Sequence, residues 1–218
     1  MKKHTYAAAL AMLLAATTDS QALTLTYATS TPISSTTTDW VSSLAFQQFD
    51  SSIYGVLLSV ELQLSSTFNS VLTITNSAAS ASNGTSKTEV QLTVQDVGGN
   101  LIAPTLDLLG PTFPYSLAPG ASVTSGTLTK SGTSDNTYAS VDVLNEFTGA
   151  GTFTLPASTF TQTLLANTGG NSAASQVTDA SLTGTVTYTY AVPEPTSAAL
   201  LGLGTLGLVA RRRRSAQA

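Results

Sequence analysis

The sequence predicts an all-β protein: a single antiparallel β-sandwich, Ig-like or jelly-roll in style, flanked by an N-terminal signal helix and a C-terminal transmembrane helix. Two observations predict the sandwich. Apolar and polar residues alternate along several segments, and hydroxyl residues are unusually common, with 37 Thr and 28 Ser among 218 residues. Alternation with a period of two gives a strand one buried and one solvated face, and Thr is a good strand former.

The alternation is clearest in residues 56–64, 89–95 and 182–190. Weaker strands are expected at 23–28, 41–49, 71–75, 101–108, 122–129, 151–155 and 159–165. Turn residues between them predict chain reversals at Asn83-Gly84, Gly98-Gly99-Asn100, Pro119-Gly120 and residues 168–171. One short helix is expected around Tyr138, Val141 and Leu144, with Asp135 or Asn136 as its N-cap and Gly149 at its end.

The N-terminus has the three parts of a secretory signal peptide. Met1-Lys2-Lys3 is cationic, residues 6–16 are apolar, and Ser20-Gln21-Ala22 has the small-x-small pattern of a cleavage site. This order favours a signal peptide over a buried N-terminal helix and predicts that signal peptidase cuts after Ala22. His4, the only histidine, is removed with the signal.

The C-terminus reads as a second targeting segment. Val192-Pro193-Glu194-Pro195 precedes an apolar run, Ala198–Ala210, and a basic cluster of Arg211, Arg212, Arg213 and Arg214. Two prolines prevent a helix from crossing that point. A helix over the 15 residues 196–210 would reach about 22 Å against a hydrocarbon core of about 30 Å. The arginines resist translocation, so we expect a short, transient inner-membrane segment that leaves the body outside.

This tail, in the last 27 residues of the chain, resembles the PEP-CTERM sorting signal of Gram-negative bacteria. The resemblance implies recognition by an exosortase, a membrane transpeptidase-like enzyme, removal of the tail, and delivery of the body to the cell surface or exopolysaccharide matrix. An ordinary single-pass anchor with a chance Pro-Glu-Pro is the alternative.

Several stretches of the body resemble the choice-of-anchor E domain of bacterial surface proteins. They are Leu23-Thr24-Leu25-Thr26-Tyr27, Asp39-Trp40, residues 46–55, 117–122 and 147–152, and Val186-Thr187-Tyr188-Thr189-Tyr190. The resemblance implies no established activity and no catalytic residues.

The composition of the body narrows its chemistry. Residues 23–191 contain no Cys, His or Arg, which excludes disulfides, Cys/His zinc sites and serine-histidine catalysis. Its bases are Lys87 and Lys130, and ten carboxylates give a net charge of −8. We therefore expect no binding to nucleic acid, and no cofactor is predicted.

Four ligand or activity hypotheses stay open at this point. Asp142 and Glu146 could form a two-carboxylate glycosidase pair, and residues 96–100 or Asp135-Asn136 could hold calcium, although turn formation explains them as well. Trp40 or Tyr115 could stack on sugar rings, although a sandwich core commonly contains one Trp. The threonine ladder of residues 183–189 suggests an ice-binding surface, but Thr is simply a common strand residue.

The sequence as a whole predicts a secreted, non-enzymatic structural protein of a biofilm or extracellular matrix. Its segments are a signal peptide (1–22), an all-β extracellular domain (23–191), a sorting and anchor segment (192–214) and a short tail (215–218). The predicted partners are signal peptidase, exosortase, the inner membrane transiently, and exopolysaccharide. A carbohydrate-binding adhesin is the alternative function.

Overall fold

The computed structural model describes residues 22–96 and 105–192. The predicted signal helix, the predicted transmembrane helix and the predicted turn at residues 98–100 lie outside these ranges. Within them, no helix has both the length and the apolar character needed to cross a bilayer.

Eleven strands and two short helices make up the described ranges. The strands are β1 (Ala22–Ala28), β2 (Ile33–Thr37), β3 (Val41–Gln47), β4 (Val56–Asn76), β5 (Ser82–Val94), β6 (Leu106–Leu109), β7 (Phe113–Leu117), β8 (Ser122–Thr124), β9 (Leu128–Tyr138), β10 (Thr152–Gly169) and β11 (Ser172–Ala191). The helices are α1 (Ser51–Tyr54) and α2 (Val141–Phe147).

These strands form two sheets with antiparallel pairing throughout. Sheet A has the order β1-β11-β4-β8, with β2 also beside β11 and β9 also beside β4. Sheet B has the order β3-β10-β5-β6, with β7 also beside β5. The all-β prediction is confirmed, because the alternating segments place their apolar residues between two sheets.

The strands are longer than predicted. Residues 56–64 and 71–75 belong to one strand, β4, of 21 residues. The pattern between them is hidden because the inward positions at Ser66 and Ser70 are polar but buried. Ser66 Oγ donates to the Ser181 carbonyl at 2.6 Å, which satisfies it inside the sandwich. Likewise, 151–155 and 159–165 merge into β10, whereas 122–129 divides into β8 and β9.

Two local predictions were wrong. Asn83-Gly84 is not a turn but part of β5, where Gly84 allows a neighbouring backbone to approach closely. Asp135 and Asn136 do not cap α2 but lie in β9, and the helix begins after Ser140. By contrast, Pro119-Gly120 and residues 168–171 do reverse the chain, with positive φ at Gly120 and at both glycines of the second turn.

The core has two parts separated by buried hydroxyl groups. The larger cluster contains Phe46, Phe49, Phe68 and Tyr188 among 21 buried residues. The smaller one contains Leu72, Ile74, Tyr115 and Leu117. Between them, Ser70 Oγ lies 2.7 Å from Thr88 Oγ1 and 2.8 Å from Thr178 Oγ1, which joins β4, β5 and β11. The hydroxyls satisfy one another, so the core continues across this polar layer.

The two ends of the sandwich differ in what they contain. At one end, β1 and β4 begin and β11 terminates, and both α1 and α2 lie here; we call it the tail end. At the other, residues 77–81 and 170–171 carry the chain from one sheet to the other; we call it the crossover end. The chain therefore leaves the sandwich at the tail end.

Candidate sorting site at the tail end

Strand β11 determines where the predicted sorting segment leaves the body. Ala191, its last residue, pairs with Ala22 of β1 on one side and with Val56 of β4 on the other. Val192 follows as the last described residue and is 39% exposed. Pro193, Glu194 and Pro195 come next and lie outside the described residues. Since an extended residue spans about 3.5 Å, the motif begins within about 10 Å of a paired strand end.

Aromatic packing holds this end of β11 in place. Tyr188 is fully buried, and its hydroxyl donates to the Gln47 carbonyl at 2.6 Å. Phe49 contacts Tyr188 and Tyr190, with ring centroids 5.5 and 5.3 Å apart. Burial, together with the neighbouring Tyr27, raises the pKa of Tyr188 well above its usual range. The segment after Ala191 therefore leaves the body from a strand end that is fixed by core packing.

A shallow groove of about 320 Å³ lies beside this end of β11. It is lined by Ser51, Gly55, Val56, Leu57, Val141, Leu144, Asn145 and Thr148, with no ionisable side chain among them. Val56 and Leu57 are the cross-strand partners of Ala191 and Tyr190, so the groove begins one strand away from the departing chain.

The helix α1 borders the groove through Ser51, and a polar N-cap stabilises this helix. Asp50 Oδ1 accepts hydrogen bonds from the Ser52 amide at 2.9 Å and the Ser52 hydroxyl at 2.6 Å. These bonds stabilise the carboxylate and lower the pKa of Asp50. The cap explains how a helix of four residues forms beside an apolar groove.

Exposed apolar side chains concentrate at the tail end. Of the eleven exposed large hydrophobic residues in the described ranges, six lie here: Leu23, Ile53, Val56, Leu58, Val141 and Val192. Ile53 and Val141 are 71% and 70% exposed. Scattered single apolar residues on a surface are ordinary, but several of them grouped beside a groove make this end a candidate interaction surface.

The charge at the tail end is negative. Asp50 precedes α1, and Asp142 and Glu146 lie on α2. The two lysines of the described ranges are farther away: Lys130 pairs with Phe68, and Lys87 pairs with Leu164. Phe68 lies 12 residues along β4 from Val56, or about 40 Å at the rise of a strand. The tail end therefore combines an apolar groove with neighbouring carboxylates.

The predicted glycosidase pair does not line this groove. Asp142 is exposed in the first turn of α2, and Glu146 is partly buried four residues later. The Glu146 carbonyl accepts a hydrogen bond from Gln48 Nε2 at 3.1 Å, so the helix is attached to the segment that precedes α1.

Trp40 and Tyr115 are packed rather than displayed. Trp40 is partly buried against the large core cluster, and Tyr115 is 7% exposed in the small one. Within residues 22–96 and 105–192, the aromatic side chain that is exposed on a strand is instead Phe160, which is 57% exposed on the outer face of β10. Gln91 pairs with Phe160, and Asp107 pairs with Gln91, which places an aromatic ring beside amide and carboxylate groups.

Sequence reasoning missed Phe160 because the register of β10 was unknown. Phe153 and Phe160 are seven residues apart and therefore face opposite sides of the strand, but only the register shows which of them packs inward. Phe153 stacks on Phe46 in the core, so Phe160 faces solvent.

The threonines of β11 lie within a wide hydroxyl-rich face of sheet A. Thr183, Thr185 and Thr187 pair with Ser65, Gln63 and Glu61 of β4, whose neighbours on β9 include Thr133, Asp135 and Thr137. Several hydroxyls bond across strands, such as Thr26 with Thr187 at 3.1 Å and Thr67 with Ser131 at 2.7 Å. The face is therefore hydrophilic, with carboxylates interrupting its hydroxyl pattern.

The structure describes only some of the candidate calcium-binding residues. Asp135 and Asn136 belong to the extended strand β9 and do not form a loop. Residues 97–100 lie outside the described ranges. Inside those ranges, no group of three or more acidic or histidine side chains is arranged to hold a metal ion.

Comparison with solved structures adds little to this picture. The structure of infectious bursal disease virus Gx strain is 11% identical, with 89% of this chain and 49% of that chain covered and a TM-score of 0.16. The infectious bursal virus derived T=1 particle structure is 13% identical, with coverages of 87% and 48% and a TM-score of 0.16. The chain thus spans about half the length of the chains it matches. No curated protein matches it.

The tail, by contrast, matches a known family. Residues 191–214 match the PEP-CTERM protein-sorting motif. The match includes Val192–Pro195 and the arginines at 211–214, and it begins at Ala191, the last residue of β11. Because it covers the tail alone, the resemblance of the body to the choice-of-anchor E domain stays a prediction. The tail carries a PEP-CTERM sorting motif, and the protein is therefore an exported exosortase substrate that is anchored transiently in the membrane before processing.

Proposed function

We propose that the protein is a non-enzymatic structural component of the cell surface or extracellular matrix of a Gram-negative bacterium. In this proposal, signal peptidase removes residues 1–22, the apolar tail segment stops in the inner membrane, and exosortase cuts at Val192–Pro195. The body is then delivered outside and associates with exopolysaccharide. The observation that carries the proposal is the sorting motif that begins directly where β11 ends.

The surface of the body supports an extracellular matrix role. The outer face of sheet A presents Ser and Thr hydroxyls on four neighbouring strands, and such groups exchange hydrogen bonds readily with water and with sugar hydroxyls. A net charge of −8 for residues 23–191 keeps the body soluble at the cell exterior.

Replacement of Pro193-Glu194-Pro195 by three alanines tests the sorting step. We expect the full-length protein to accumulate in the inner membrane, because the processing enzyme loses its motif while the apolar segment and arginines still hold the chain. Immunoblots of inner-membrane, surface and medium fractions measure the result.

A matched control changes Ser215 and Gln217 to alanine, outside the matched residues 191–214. This variant should be processed like the wild type. Surface delivery of the triple-alanine variant at wild-type levels would refute the proposal.

Carbohydrate binding is the second candidate function, and the exposure of Phe160 favours it. Aromatic rings beside amide and carboxylate groups stack on sugar rings while the polar groups bond sugar hydroxyls. Gln162 Nε2 bonds Glu89 Oε2 beside this ring, which orders the polar side chains on the sheet.

Phe160→Ala should weaken binding of the processed body to purified exopolysaccharide by about tenfold, or roughly 1.4 kcal/mol. Val177→Ala is the control, since Val177 is 68% exposed on the other sheet. Isothermal titration or co-sedimentation measures the affinity. Equal binding by both variants and the wild type would exclude the Phe160 surface.

A further inference from the structure

The distance between the motif and the folded body limits how any enzyme can reach the motif. Only Val192 separates the paired residue Ala191 from Pro193. Three extended residues cover at most about 11 Å, so Glu194 stays within that distance of Ala191. An enzyme with the thickness of a protein domain must therefore contact the tail end when it holds the motif.

The surface that this enzyme meets has a defined chemistry. The groove beside Ala191 is mostly apolar, and Val56 and Val141, which line it, are 60% and 70% exposed. Ile53, on the helix α1 that supplies Ser51 to the groove, is 71% exposed. Asp50 and Asp142 stand at the two helices that border it.

We propose that the tail end is a docking surface for the membrane-embedded enzyme that processes the tail. The inference rests on the proposed sorting function. The partner surface it fits is apolar at its centre, to fill the groove, and basic at its rim, to pair with the carboxylates. Docking there raises the local concentration of the motif at the catalytic centre.

The small size of the groove suits an enzyme that must release its product. A groove of about 320 Å³ accepts only a few side chains, and interfaces of small area are typical of transient encounters. Once the tail is removed, the linkage that supplies the local concentration is lost, and the body dissociates.

The charges favour a protein partner over the lipid surface. The cytoplasmic membrane of bacteria is anionic, and anionic headgroups repel carboxylates. Asp50, Asp142 and Glu146 lie at the tail end, whereas Lys87 and Lys130 pair with residues far along the strands.

The test is the rate of tail removal from the full chain in producing cells, followed by pulse-chase. Val141→Ser removes an apolar contact at the first residue of α2, where Ser is compatible with the helix start. We expect tail removal to slow about fivefold. Val177→Ser, an equally exposed valine on the outer face of β11, should leave the rate unchanged.

A charge pair tests the rim in the same assay. Asp142→Asn should slow tail removal about twofold, and Asp135→Asn on the outer face of β9 should not change it. Insertion of six Gly/Ser residues between Val192 and Pro193 should reduce the effect of Val141→Ser, because a flexible linker uncouples the motif from the body.

Two results would overturn the docking surface. One is an equal rate for wild type and Val141→Ser, or equal slowing by Val141→Ser and Val177→Ser. The other is binding of the mature protein to vesicles of phosphatidylethanolamine and phosphatidylglycerol that Val141→Ser abolishes, since the surface would then contact lipid. If the triple-alanine motif variant is still processed, the proposed function fails; if only Val141→Ser is without effect, the docking surface alone fails.

Discussion

Asn76→Ala is expected to lower the free energy of unfolding of the body by about 3 kcal/mol. Asn76 is fully buried at the crossover end. Its Nδ2 donates to the carbonyls of Ser80 and Ala118 at 2.8 and 3.1 Å. Its Oδ1 accepts from the amides of Ala78 and Asn171 at 3.1 and 3.3 Å. Alanine would leave these four backbone groups without their partner.

The size of this effect follows from where those four groups lie. Ala78 and Ser80 belong to the connection between β4 and β5, Asn171 to the connection between β10 and β11, and Ala118 to the turn between β7 and β8. One amide side chain therefore ties together three separate segments, each of which connects the two sheets. Urea unfolding of the mature body measures the change.

Asn167→Ala is the matched control for Asn76→Ala. Asn167 is exposed near the end of β10, and its Nδ2 reaches the Gly169 carbonyl at 3.4 Å. Its replacement should change the free energy of unfolding by no more than about 0.5 kcal/mol. Equal stability of the Asn76 and Asn167 variants would contradict the role assigned to Asn76.

Gly84→Ala is expected to destabilise the body by about 3 kcal/mol, at the upper end of overpacking substitutions. A Cβ at this position would lie 2.1 Å from the Ala166 carbonyl oxygen and 2.7 Å from the Tyr115 hydroxyl. The Ala166 oxygen belongs to β10, which pairs with β5 along 13 residues, so it cannot move without disturbing that pairing.

Thermal unfolding of Gly84→Ala is compared with that of Gly126→Ala. A Cβ on Gly126 would meet nothing within 4 Å, so this variant should be as stable as the wild type or slightly more stable. An unchanged midpoint for Gly84→Ala would show that β5 and β10 do not approach as described.

The all-β class could be predicted because the strongest alternation lies on the central strands. Val60, Leu62 and Leu64 of β4, and Val186 and Tyr188 of β11, alternate with polar residues and are all buried. Strands of this kind identify themselves, since one face must be apolar.

The length of those strands could not be predicted. The inward hydroxyls of Ser70, Thr88 and Thr178 are acceptable in the core only because they bond one another across three strands. That compensation depends on the tertiary arrangement, so the sequence alone makes these positions look like breaks. The turn predicted at Asn83-Gly84 was wrong for a similar reason. From sequence alone, a glycine that allows two backbones to approach closely cannot be distinguished from a glycine that allows a turn.

The candidate sorting site also has one part that could be predicted from the sequence and one part that could not. The motif could be predicted because prolines, an apolar run and arginines follow one another along the chain. The groove could not, because it combines Ser51 and Val56 with Val141 and Thr148, which are about 90 residues apart in sequence. The chain topology brings these residues together, and no local sequence pattern predicts that they meet.

The position of β11 affects the order of events during export. This strand lies at the centre of sheet A and is the last of the described strands along the chain. The first described strand, β1, pairs with it through all seven of its own residues. In the proposed sorting route, sheet A consequently stays incomplete until residue 191 has crossed the membrane, immediately before the predicted apolar segment arrives. We therefore expect that arrest of the chain by that segment coincides with completion of the fold, so that the processing enzyme acts on a body that has just become compact.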